Sequence, residues 1–105
     1  MDLAVLKEIE RRAKREKYNM MLNILSGYRS NVKEAIEHIE EGERIFRRAH
    51  ANYIDDWHGK AREAYEGITG ELKQDVNRSY TIGDELEREI REEMRRLHRK
   101  IEDLS

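Results

Sequence analysis

Asp55-Asp56-Trp57-His58-Gly59-Lys60-Ala61-Arg62-Glu63-Ala64-Tyr65 is the stretch on which the fold turns. Gly59 can take the left-handed backbone conformation that ends a helix, and a second helix can start directly after it. The two aspartates sit poorly at the negative end of a preceding helix dipole. They suit the positive end of the next helix, which a short turn places nearby. The segment therefore reads as a bend at 57–59 between two helices.

Both flanks carry helical periodicity. Upstream, the apolar positions Leu25, Tyr28, Val32, Ala35 or Ile36, Ile39 and Phe46 step by threes and fours, and Ala49 and Tyr53 continue the seam to Trp57. Gly42 is its weak rung. Downstream, Ala61, Ala64 or Tyr65, Ile68, Leu72 and Val76 begin a second seam. It runs through Ser79, Ile82 or Gly83, Leu86, Ile90 and Met94 to Leu97, Ile101 and Leu104. This is bundle or coiled-coil spacing, and nowhere does the alternation of a strand appear. The N-terminal stretch adds Leu3, Leu6, Ile9 and Ala13, then turns polar between Arg11 and Lys17. Helix 1 can start near residue 2 or near residue 18, and a continuous helix fits better. The expected fold is all-α: one domain over 1–105, with helix 1 over about 2–56, a turn at 57–59 and helix 2 over about 60–104. At ~1.5 Å per residue each helix would be roughly 65–70 Å long.

Composition agrees. The 105 residues hold neither proline nor cysteine, so no proline breaks a helix, and disulfides and thiolate metal sites are excluded. Charged residues make up 42%, yet the net charge is only -2. Leu, Ile, Val and Phe total 22, close to the level at which chains are disordered. Regular spacing of those few apolar residues is what specifies long helices with solvated faces. No segment approaches the ~20 apolar residues of a membrane span. The first residues, Met1 to Glu8, lack the basic start and long apolar run of a cleavable signal peptide.

Two helices alone bury one stripe each. Without a disulfide or a metal, pairing of two hairpins into a four-helix bundle is the expected route to stability. The remaining glycines, Gly27, Gly42, Gly67, Gly70 and Gly83, lie where the apolar period continues, each costing the helix about 1 kcal/mol relative to alanine. Gly67 and Gly70 read either as a point of close approach by another helix or as local looseness.

Chemistry of the catalytic kind finds no support. The four histidines, His38, His50, His58 and His98, form no pair at i+3 or i+4 and complete no Glu-x-x-His. That argues against a di-iron bundle site, and no phosphate loop or nucleophile elbow is present. The chain is read as non-enzymatic and without a cofactor. Basic clusters at Arg11, Arg12, Lys14, Arg15 and Lys17 and at Arg95, Arg96, Arg99 and Lys100 converge at the open end of a hairpin bent at residue 58. Interleaved acidic residues favour a salt-bridged, solvated end over a nucleic-acid site, and a partner with an acidic end could use the patch for orientation.

The W-x-G-x-A-x-x-A-aromatic pattern of Trp57, Gly59, Ala61, Ala64 and Tyr65, set between two long amphipathic segments, resembles the WXG (ESAT-like) family of small helical-hairpin proteins. Specific residues match only over 57–65. Tyr80 and Asp84, in Tyr80-Thr81-Ile82-Gly83-Asp84, are similar to that family's Y-x-x-x-D/E export motif, although 21 residues follow Asp84 here. An alternative is a packed tyrosine and a solvated aspartate. Trp57 likewise reads as a hairpin-end plug alone or as a plug that also serves recognition. Helix 1 is longer and the chain more charged than in familiar members, which is similar to the helical partners of LXG-type toxins. The resemblance implies a role in a bacterial type VII secretion system, as a homodimer, a heterodimer with a sibling hairpin, or a partner of an LXG toxin domain. A secretion ATPase is a further implied partner. It also implies a cytoplasmic protein that is then secreted. The alternative is a coiled-coil adaptor with no link to secretion.

Overall fold

A computed structural model describes residues 2–56 and 58–104. It is all-α: helix α1 spans Leu3–Tyr53, a 3-10 turn spans Ile54–Asp56, and helix α2 spans Gly59–Asp103. Helix 1 is thus continuous across the polar stretch at 11–17. Asp2 caps it: its carboxylate accepts from the Ala4 amide at 3.3 Å and its carbonyl from Val5 and Leu6. At the other end α1 tightens into the 3-10 turn, a common way to close a last turn. Gly59 then takes a φ of 59°, the left-handed conformation expected of it at the bend.

Contacts between the two helices fall into two compact units. Unit 1 comprises Met1–Asn31 and Leu86–Ser105, and unit 2 comprises Val32–Glu85. Within unit 1 the helices run antiparallel, in the register expected from a bend at 58. Arg11 donates to the Leu104 carbonyl at 3.0 Å, Lys100 lies 5.5 Å from the centre of the Tyr18 ring, and Arg29 pairs with Glu87 at 3.3 Å. The first of these closes a backbone acceptor left open at the end of α2. Leu97 is fully buried here, and Leu22, Leu25, Ile90, Met94 and Ile101 are half-buried around it. Among the described residues Leu97 is the one buried large apolar side chain.

Unit 2 is the hairpin closed by the bend. Its packed positions are Val32, Ile36, Ile39, Glu43, Phe46 and His50 on α1. On α2 they include Tyr65, Thr69, Val76, Tyr80 and Gly83. Of the paired alternatives in the sequence, Ile36, Tyr65 and Gly83 are the more buried. Gly83 lies under Ile36, where a methyl group would stand 2.7 Å from the Ile36 Cδ1. A small residue at 83 thus lets the helices approach. Toward the bend the fit loosens, and a cleft of about 730 Å³ opens between Phe46 and Gly42 on α1 and Gly70 and Leu72 on α2.

Candidate interaction surface

The residues of the W-x-G pattern part company. Trp57 lies outside the described residues. Ala61 and Ala64 are exposed, whereas Tyr65 turns inward and stacks on His50, with ring centres 5.5 Å apart and planes inclined by 15°. The Tyr65 hydroxyl lies 3.1 Å from His50 Nδ1, and Phe46 packs beyond at 6.0 Å. These three rings anchor unit 2 near the bend, at a spacing suited to offset aromatic packing.

Tyr80 and Asp84 share no surface of their own. Tyr80 donates its hydroxyl proton to the Glu43 carboxylate across the hairpin, while Asp84 is exposed. The hydrogen bond to Glu43 holds the Tyr80 proton in place, burial and the negative charges of Glu43 and Glu40 add to it, and the phenol is pushed up to about 12. In this arrangement Tyr80 is a packed, partnered residue of unit 2.

The seam residues divide as well. Leu25, Val32, Ile36, Ile39, Phe46, Val76, Ile90 and Leu97 are covered to varying degrees by the opposite helix. Tyr28, Ile68, Leu72 and Leu86 remain 57%, 64%, 43% and 43% exposed. Met20, Ile24 and Ile45 are likewise each more than half exposed. In their place the helices present polar groups to each other. Glu8, Arg11 and Arg15 on α1 occupy covered or half-covered positions in unit 1, and Arg15 Nε is buried with no hydrogen-bond partner. Glu43, His50 and Thr69 do likewise in unit 2. Periodicity built on apolar letters passes over such residues. The one signal for them is that they continue the three-four spacing of the covered row.

Charge separates the units. Unit 1 holds thirteen Lys and Arg against ten Asp and Glu, a net of +3; unit 2 holds eight against thirteen, a net of -5. In unit 1 Glu8 bridges Arg11 and Arg12, and Arg96 pairs with Glu93. Hydrogen bonds from these arginines hold Glu8 and Glu93 below the usual carboxylate range and raise Arg11 and Arg96. Such exposed pairs set surface character more than stability. Among the described residues no group of three or more His, Asp or Glu could hold a metal ion, and no helix is long and apolar enough to cross a membrane. No family model matches the chain, and no curated protein or solved structure matches it either.

Proposed function

We propose that the chain is a non-enzymatic docking protein that completes its hydrophobic core by associating with a second helical hairpin. The observation carrying this reading is that, among the described residues, Leu97 is the one large apolar side chain to reach full burial while thirteen others stay exposed. The chain exposes 8632 Å², where a folded monomer of 12.6 kDa exposes about 6,200 Å². The excess is about what each partner contributes to a large obligate interface. A solitary hairpin of this kind lacks the burial needed to offset its ordering entropy.

The W-x-G resemblance supports a narrower setting, in which the partner belongs to type VII secretion, either a sibling hairpin or the helical domain of an LXG-type toxin. Co-expression with such a domain tests it: a 1:1 complex that survives size-exclusion chromatography, and is lost in Gly59→Pro, supports the setting. Absence of a complex with any such domain removes it. The adaptor reading without secretion shares the same docking surface and would then stand in its place.

A further inference from the structure

Seven of the thirteen exposed large apolar side chains lie on one helix segment, residues 3–28 of α1, wholly inside unit 1. Leu3, Leu6, Ile9 and Ala13 begin a row in steps of three and four. Lys17, Met20, Ile24 and Tyr28 continue it, and no acidic residue stands in it. The row runs on the far side of α1 from the covered positions Arg11, Arg15, Tyr18 and Leu22. It is open along its length: Leu3 is 64% exposed at one end and Tyr28 57% at the other. Single exposed apolar side chains are ordinary, but a continuous stripe of them marks a surface that meets something.

Breadth and charge say what that is. With Val5 added, the apolar side chains of the first two turns spread over about 160° of the helix circumference. That is wider than the narrow seam a single partner helix covers. Lys17 stands in the middle of the row. A packed helix would bury its ammonium group. At a boundary between water and lipid the apolar stem lies in the layer while the charge reaches the headgroups. Lys7 and Lys14 border the row on one side, and with Lys17 they form no ion pair among the described residues. Arg12 borders the other side, held by Glu8. Against these four basic residues the border carries Glu10 and Glu16, a local net of +2 inside a unit of net +3. One apolar face, a charged remainder and lysines between them make a helix that lies in a membrane interface without crossing it.

We infer that residues 3–28 of α1 dock unit 1 onto an anionic lipid surface, with the Leu3-to-Tyr28 row in the headgroup layer and Lys7, Lys14 and Lys17 on the lipid phosphates. The test is co-sedimentation of the full chain with vesicles of equimolar phosphatidylcholine and phosphatidylglycerol, set against phosphatidylcholine alone. At low salt the mixed vesicles should bind at least about tenfold more tightly, since each lysine near an anionic surface contributes about fivefold. High salt should remove that preference. Leu6→Gln with Ile9→Gln should weaken binding at least about tenfold at unchanged helicity, because both side chains are exposed in the free chain. Ile68→Gln, in unit 2, should leave it intact. Lys7→Gln with Lys14→Gln and Lys17→Gln should bind both vesicles alike. Since the chain has no cysteine, a polarity-sensitive dye on Ala13→Cys reports what covers the row. Its emission should shift to the blue on mixed vesicles, and the same dye on Ala61→Cys should not respond. No binding to mixed vesicles, or binding that survives Leu6→Gln with Ile9→Gln, would overturn the inference. So would a blue shift at Ala13 that grows with protein concentration without lipid, which would put another helix on the row. A chain that ignores vesicles yet captures a helical hairpin would overturn it and leave the docking reading in place. One that binds mixed vesicles and no hairpin would uphold it and remove the docking reading.

Discussion

Gly83 and Ile36 meet across unit 2 so closely that a methyl group at 83 would stand 2.7 Å from Ile36 Cδ1 and 3.1 Å from Cγ1. Ile36 can swing its terminal methyl aside, but its branched Cβ holds χ1 nearly fixed in a helix. Gly83→Ala therefore gains helix propensity of about 1 kcal/mol and gives much of it back in displaced packing. Gly83→Val adds bulk that cannot move away, and a loss of about 1–3 kcal/mol is expected. Gly67→Ala and Gly70→Ala meet open space and should each stabilise by up to about 1 kcal/mol. Urea unfolding followed by circular dichroism at one fixed protein concentration checks all four, since association adds to apparent stability.

Tyr80 offers a spectroscopic prediction. Its phenol is pushed up to about 12 by the Glu43 hydrogen bond, burial and nearby carboxylates, from an ordinary value of 10.0. Because the folded value lies above the unfolded one, the interaction stabilises fully below pH ~10 and is lost as pH rises through about 12. Of the five tyrosines, one should ionise late in an alkaline absorbance titration. Tyr80→Phe should delete that late step, and Glu43→Gln should bring it down toward the others. An unchanged titration in both variants would remove the Glu43 contact.

Two helices, their bend at residue 58 and their antiparallel register were legible because apolar spacing and one permissive glycine suffice to specify them. The polar members of the packed rows were not. Glu43, His50 and Arg15 occupy covered positions, but a pattern read from apolar residues treats them as gaps. The pairing of Tyr80 with Glu43 was hidden for a related reason. A hairpin bent at residue 58 sets Glu43 opposite Lys73, whereas the Glu43 carboxylate accepts from Tyr80, one heptad further along. Tyr28, Ile68, Leu72 and Leu86 sat in the expected seams yet remain exposed, because each helix carries more apolar width than one neighbour can cover.

Gly59 gives a prediction at the bend. With φ at 59° it occupies backbone space that an L side chain enters only at a cost. No atom of the described residues crowds the position, so the penalty for Gly59→Ala is conformational, about 1–2 kcal/mol. Gly59→Asn should cost less, since asparagine tolerates the left-handed region better than alanine. Equal losses for the two variants in urea unfolding would mean that the turn relaxes to another conformation.

Leu97 anchors the last prediction. It is fully buried in unit 1, whereas Phe46 in unit 2 is half-buried beside the open cleft. Truncating a buried leucine removes its transfer energy and leaves a cavity, so Leu97→Ala should cost about 2–5 kcal/mol. Phe46→Ala removes a larger side chain, but one whose surroundings already admit water, so the cavity part of its cost is small. Because Leu97 is the one fully buried large apolar side chain among the described residues, Leu97→Ala is the more damaging change despite the smaller volume lost. Hydrogen exchange locates the effect: amides of α1 over 18–25 and α2 over 94–101 should lose protection first in Leu97→Ala. Loss beginning instead around residues 46 and 65 would place the stabilising contacts in the aromatic cluster of His50 and Tyr65.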